Sequence, residues 1–244
     1  MMPRIQSFWY GTELPRHVFL CIKSFIDHGH DYRLYSYRPL DLPPGAVACD
    51  AADIIAEDRV FFYKEPDGSR GSVSGFSNLF RYKLLRSHGN WWVDTDVLCL
   101  SPTLPETECY FGWESDDLIG TAILQVPQNH RLLERAIEDS VAAGTDFGWG
   151  QIGPLLVTRL VRELGLEALA RPREVAYPTN WREHRLPVTE DGFAKMASLT
   201  RGLPFLHLWH EMFRKARDTS IDSPEPGSYL AAAYDQHHVR HHQG

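Results

Sequence analysis

Cysteine is scarce and scattered. Only Cys21, Cys49, Cys99 and Cys109 occur, with no Cys-x-x-Cys pair, a pattern that supplies neither a zinc framework nor the dense disulfides of a small secreted scaffold. Reduced thiols in a cytoplasm are expected. Long apolar runs are lacking as well: no stretch reaches the roughly 18 consecutive apolar residues of a membrane span, and residues 1–11 carry none behind Arg4, so the chain is expected to be soluble where it is made. Basic charge is in deficit. Lys and Arg total 25 against 32 Asp and Glu, a formal charge of −7 without a basic stripe, and this balance argues against broad nucleic-acid binding. No internal repeat is found, and only the last residues are biased in composition, with His237, His238, His241 and His242 close together. At helical spacing these could chelate a metal; a frayed tail is the expectation.

What is present suits one sizeable core: 43% of the 244 residues are hydrophobic, enough for a single domain. We place it at 1–225, followed by a C-terminal helix and His-rich tail at 226–244. The run from Ile5 to Tyr10 reads as a first strand ending at Gly11, and Pro15 opens a helix whose Val18, Ile22, Phe25 and Ile26 share a face before Gly29 stops it. A strand around Tyr32 to Tyr37 follows. Residues 64–75 are loop material, long enough to cover a site. A second helix carries Phe76, Leu79, Phe80, Tyr82, Leu84 and Leu85, ends at Gly89, and delivers Trp91-Trp92-Val93 into a buried strand. Helices over about 129–143 and 154–164 complete the alternation. The fold class expected is α/β, a mixed Rossmann-type sheet flanked by helices, in which ligands bind at the carboxyl ends of the strands.

Asp94 and Asp96 stand at such an end. In an extended segment alternate side chains share a side, so the two carboxylates face one pocket with Thr95 turned away. Carboxylates so placed repel unless a cation lies between them, and oxygen-rich sites of this kind suit Mg²⁺ or Mn²⁺, with phosphate oxygens completing the shell. An Asp-x-Asp at a strand end can also simply cap the next turn. Arg81, on the helix before the strand, is within reach of the same end.

Phe76-Ser77-Asn78-Leu79-Phe80-Arg81-Tyr82 followed by Gly89-Asn90-Trp91-Trp92-Val93-Asp94-Thr95-Asp96 resembles the core of glycosyltransferase family 32, the DXD sugar-transferase family related to the glucosylating clostridial toxins. That family's pattern is Ser-Asp-x-x-Arg on a helix, then Gly-Gly-x-Tyr-x-Asp-x-Asp, with a similar interval. The resemblance implies a GT-A fold, a nucleotide-diphosphate sugar donor bound with Mn²⁺ or Mg²⁺, and transfer with retention of configuration. Carried over by position, Asp94 meets the ribose and donor sugar, Asp96 ligates the metal and Arg81 holds the donor, with Ser77 and Asn78 beside it. Asn78 stands where the family has Asp, which bears on donor choice. Asn90 replaces the second Gly, and Asn tolerates the positive φ that such a turn requires.

Leu206-His207-Leu208-Trp209-His210 is similar to the family's late His-x-Trp-Asn segment, which makes His207 the candidate third protein ligand of the metal site, with Asp96, although a packed histidine is the ordinary alternative. Gly153-Pro154 and Tyr177-Pro178-x-x-Trp181 resemble two further family segments that packing explains equally well. Phe8 and Trp9 lie where the donor base is bound in the family, and an indole face there could stack on uracil or guanine. From the cluster Glu114, Asp116 and Asp117 we take Asp117 as the acidic group near the anomeric carbon; a solvated loop is the alternative.

Two other functions fit fewer residues. Asp94-Thr95-Asp96 after an apolar strand also resembles the nucleophile motif of haloacid-dehalogenase-like phosphatases, with Asp94 attacking phosphorus, but Lys195 and the Asp116-Asp117 pair are poor candidates for the remaining parts. A sugar-nucleotide-binding module without transfer is the third. The leading expectation is a cytoplasmic enzyme acting on a saccharide or glycolipid acceptor, peripheral to the inner membrane face, in polysaccharide or glycoconjugate synthesis.

Overall fold

A computed structural model describes residues 3–64 and 69–240. In chain order the described residues form Arg4–Phe8 (β1), Arg16–Asp27 (α1), Asp31–Ser36 (β2), Val47–Asp50 (β3), Ser74–His88 (α2), Trp91–Val93 (β4), Val97–Cys99 (β5), Tyr110–Trp113 (β6), Ile119–Gln125 (β7), Arg131–Ala142 (α3), Pro154–Glu163 (α4), Arg173–Ala176 (α5), Phe193–Leu199 (α6), Phe205–His207 (β8), His210–Ala216 (α7) and Tyr229–Gln236 (α8). Six strands make one sheet in the order β3-β2-β1-β4-β7-β6. β1 pairs in parallel with β2 and β4, β2 in parallel with β3, and the β7–β6 edge runs antiparallel. This is the mixed α/β sheet expected.

The order places β1 between β2 and β4. The chain leaves β1 for β2 on one side and arrives in β4 on the other, and in open α/β sheets the crevice outside the carboxyl ends of two such strands is where ligands bind. Trp9 follows β1 and Asp94 follows β4. Both therefore open onto that crevice.

The unbroken apolar run Trp91-Trp92-Val93 has its cause in the two layers around β4. Side chains alternate between faces, and Trp92 enters the cluster with Phe76, Phe80 and Leu84 under α2, while Trp91 and Val93 join Val18, Ile22 and Phe25 of α1. A third cluster joins Leu20 and Cys21 on α1 to Leu230 and Tyr234 on α8. The next residue after α8, His237, is buried with its Nδ1 2.8 Å from Asp27 Oδ2. Residues 241–244, with His241 and His242, lie outside the described residues.

The helix punctuation follows the sequence closely. Pro15 is the N-cap of α1, Gly89 the C-cap of α2 at φ 59°, and Asn90 takes φ 67°. Only glycine and, to a lesser degree, asparagine adopt that conformation without strain. The first strand stops at Phe8 and not at Tyr10, which frees Trp9 and Tyr10 for the loop. Of the loop expected over 64–75, residues 65–68 lie outside the described residues; Gly71 to Ser74 line the cleft described next.

Candidate active site

A cleft of about 780 Å³ opens at the carboxyl ends of β1 and β4. Its floor is built by α2. Ser77, Asn78 and Arg81 lie on one side of that helix, because residues three and four apart share a face, and all three line the cleft. Arg81 is buried, its side chain 3% exposed. Its Nε donates to Ser77 O and its Nη2 to Ser77 Oγ, each at 3.3 Å, and its Nη1 donates to Thr121 O on β7. The same Nη1 lies 3.1 Å from Asp94 Oδ1. With Trp92 beneath it, 4.8 Å from ring centroid to guanidinium carbon, the fork is fixed on several sides.

Asp94 is held as firmly. Its backbone N–H donates to Ala122 O at 2.7 Å, and Trp92 Nε1 donates to its Oδ1 at 2.8 Å. Burial pushes the Asp94 carboxyl above its ordinary value even against the Arg81 charge, and the Asp96 carboxylate adds to the rise.

Asp96 sits in a different setting, made by the far end of the chain. β5 pairs antiparallel with β8 so that Val97 faces His207, which brings the imidazole beside Asp96. His207 Nε2 lies 3.2 Å from Asp96 Oδ2, and the backbone N–H of His210 donates to the same oxygen at 2.9 Å. The turn that aims this N–H requires Trp209 at φ 57°, a left-handed conformation that costs a bulky residue about 1–2 kcal/mol. Trp209 is kept there by its Nε1, which donates to Thr179 O at 3.2 Å, and by packing on the His207 ring at 4.3 Å. Burial alone would raise the Asp96 carboxyl; the His207 imidazole and the His210 N–H outweigh it and hold the group well below the carboxylate range. For His207, burial opposes the proton but Asp96 more than restores it, and its pKa is raised.

Asp94, Asp96 and His207 offer ligand atoms that all lie within 4.8 Å of one another, the one such group of three among the described residues. Two carboxylate oxygens and one imidazole nitrogen suit a divalent cation, Mn²⁺ more than Mg²⁺ because of the nitrogen. His207 Nδ1 is buried without a hydrogen-bond partner. Every donor in the set is compatible with the cation expected.

The remaining expected residues are spread unevenly. Trp9 lines the cleft, its Nε1 donating to Glu13 O at 2.9 Å. Phe8 reaches it only as a buried floor residue, stacked on Phe80 at 4.5 Å. Asp117 does not line it. Glu114 N–H donates to Leu118 O at 2.8 Å, which closes the β6–β7 turn and throws Asp117 outward to accept from Ser115 Oγ. Glu114 is the member of that cluster inside the cleft, its carboxyl raised by burial.

The two segments that packing explained equally well do carry packing. A Cβ on Gly153 would lie 2.6 Å from Asn78 Nδ2, and one on Gly120 would lie 2.4 Å from the Tyr177 ring. Gly153 thus lets α4 approach Asn78. Tyr177 packs on β7, where its hydroxyl accepts from Ala122 N–H at 3.2 Å, the same residue whose carbonyl accepts from Asp94 N–H.

Comparison with known proteins gives the same direction. No family model matches the chain. It is 25% identical over 158 residues to lactosylceramide 4-alpha-galactosyltransferase of Mus musculus and 26% over 160 residues to that of Rattus norvegicus, in both cases across 60% of this chain and 43% of the relative. The Pongo pygmaeus protein of the same name is 23% identical over 152 residues, 58% of this chain and 69% of that one. The match thus spans less than half the length of the rodent relatives. Among solved structures, PaToxG Glycosyltransferase superposes with a TM-score of 0.49 at 12% identity, covering 69% of this chain and 72% of that chain. The chain is similar to glycosyltransferases, as its family 32-like motifs on α2 and β4 imply.

Proposed function

We propose that this chain is a metal-dependent glycosyltransferase that moves a hexose from a nucleotide-diphosphate sugar, a UDP-sugar before a GDP-sugar, to a saccharide or glycolipid acceptor. The observation that carries it is the convergence of Asp94, Asp96 and His207 within 4.8 Å at a strand end already occupied by Arg81. Asp96 and His207 would hold the cation, with Asp94 turned toward the donor. Bound there, a divalent cation supplies Lewis-acid stabilisation of the departing diphosphate.

The chain's own residues do the rest. Arg81, restrained by Ser77 and Thr121, presents a fixed positive charge where negative charge develops as the glycosidic bond breaks, so it favours the transition state over the ground state. Asn78 and Ser77 offer an amide and a hydroxyl to sugar hydroxyls. Trp9 offers a ring face to the base, with Phe8 as support beneath. Glu114, in place of Asp117, is the acidic group proposed near the anomeric carbon; retention of configuration follows from the family resemblance.

Residues 1–225 would form the transferase domain. No helix among the described residues is long and apolar enough to cross a membrane, and we place the enzyme in the cytoplasm, peripheral to the inner membrane face. The phosphatase alternative finds no support in the cleft: Lys195 bonds Glu183 Oε1 at 2.7 Å and does not line it.

Thermal unfolding against a panel of nucleotide sugars, each with and without Mn²⁺, tests the proposal. A stabilisation that needs both metal and one donor, and that Asp96→Asn abolishes, is expected. No shift with any donor, together with metal-dependent release of phosphate from a generic ester, would reject it.

A further inference from the structure

Of the seven tryptophans, Trp149 and Trp181 stand about half in solvent, at 52% and 49% exposure. Both line the same cleft as Asp94 and Asp96. Large rings are rarely left so exposed without a reason, since each gives up apolar contact that a core position would have provided.

Neither ring is loosely hung. Trp149 ends a ladder of aromatic contacts that begins in the core: Phe76 to Phe61 at 5.6 Å, Phe61 to Phe147 at 5.6 Å, Phe147 to Tyr63 at 5.5 Å and Tyr63 to Trp149 at 5.0 Å. Trp181 opens a helical turn fixed by a reciprocal cap, in which Asn180 Oδ1 accepts from Arg182 N–H and Glu183 Oε2 accepts from Asn180 N–H. Rigid, preorganised aromatic surface at a cleft mouth binds with little entropic loss.

The polar surroundings narrow the ligand. α7 follows directly on the His207–His210 segment and lends Glu211, Arg214 and Lys215 to the cleft. Glu211 pairs with Arg214 Nε at 2.7 Å, and Lys215 Nζ lies 4.3 Å from the Trp149 ring centroid on a flexible stem. A hexopyranose has one face of C–H groups and a rim of hydroxyls. Arg182 lies 4.7 Å from the Trp181 ring centroid, so each indole carries a long cationic side chain beside it; a sugar ring matches an indole face bordered by such donors and acceptors, whereas an acyl chain would desolvate the charged groups without hydrogen-bonding to them.

We propose that Trp149 and Trp181 form the acceptor platform, stacking on the sugar rings of a neutral saccharide and presenting its hydroxyl to the donor carbon. The proposal rests on the transferase function above, but its test does not depend on turnover. Binding of lactose and of maltose is followed by saturation-transfer NMR, with and without UDP and Mn²⁺, on the full chain and on Trp149→Ala, Trp181→Ala and Trp181→Phe.

Expected is a saccharide signal that falls at least about tenfold in either alanine variant and survives in Trp181→Phe, while UDP with Mn²⁺ still raises the melting temperature of all four proteins. A signal indifferent to both alanine substitutions, or none from either sugar on the unaltered chain, overturns the platform. So does binding to phosphatidylglycerol vesicles that both substitutions abolish without a saccharide signal, which would assign the rings to a membrane surface. Absence of UDP stabilisation alone would strike the donor assignment and leave the sugar result standing.

Discussion

Arg81 and Asp94 are joined at 3.1 Å across the end of β4, the cation buried and the anion 28% exposed toward the cleft. The pair sets a charge balance that neither residue keeps alone: the guanidinium has left water, and the carboxylate is its nearest anion. Arg81→Lys keeps the charge but not the fork that reaches Ser77, Thr121 and Asp94 together. We expect kcat to fall about 100-fold or more, with KM for the donor changed far less. A rise in donor KM with kcat unchanged, measured by steady-state kinetics, would instead make Arg81 a ground-state contact.

Asp94→Ala should be costly to the fold as well as to activity. It strands a buried guanidinium and removes the acceptor of Trp92 Nε1, and because the carboxylate is partly exposed the loss should be about 1–3 kcal/mol. Urea unfolding measures it. Asp96→Asn keeps the hydrogen-bonding shape but loses the charge that His207 and the His210 N–H favour, so it should fold with a lowered melting temperature at pH 7 and lose Mn²⁺-dependent donor binding.

His207→Ala should weaken Mn²⁺ binding about 10- to 100-fold or more, followed by calorimetry at fixed pH. An unaltered affinity would remove the imidazole from the metal site and leave it a packing residue under Trp209.

Gly153→Ala tests the contact between α4 and α2. The new methyl would enter the space of the Asn78 amide, which lies 2.6 Å from the site of that Cβ, so Asn78 must turn or α4 must shift. Donor KM is expected to rise several-fold with little change in melting temperature if the amide turns. A large loss of stability with unchanged KM would mean that the helix moves.

The interaction of Asp222 with His17 makes stability pH-dependent. Asp222 Oδ1 accepts from His17 N–H at 2.8 Å and lies 2.9 Å from its Nδ1. Burial would raise this carboxyl, but the His17 contacts outweigh it and lower its pKa in the folded protein. A carboxyl lowered on folding adds stability that is complete above its unfolded value, about 3.9, and is lost as pH falls through the folded one. Asp222→Asn should therefore depress the melting temperature at pH 7, with the gap closing below about pH 4. A gap that does not narrow as pH falls below about 4 would assign the effect to packing.

Helices and the central strand were legible wherever a repeat or a stop residue marked them. α1, α2 and α4 carry apolar faces and end near Gly29, Gly89 and Leu164, and Trp91-Trp92-Val93 is apolar on both faces because it is covered on both. β5 and β8 were not legible: each has three residues, and the pairing that defines them joins Val97 to His207 across most of the chain's second half. Periodicity cannot report such a contact. That Glu114 and not Asp117 lines the cleft was hidden for a related reason, since one turn hydrogen bond, from Glu114 N–H to Leu118 O, decides which acid faces inward. The left-handed Trp209 carried no local signal, as its conformation is imposed by Thr179 and His207.

That late pairing also sets an order of assembly. When a ribosome has released only the strands and helices through α4, the sheet can close and Asp94 can meet Arg81, but Asp96 still lacks both His207 and the N–H of His210. The nascent chain at that stage holds a cleft with two carboxylates and no imidazole, and Asp96 gains His207 and the His210 N–H only when β8 emerges and zips onto β5.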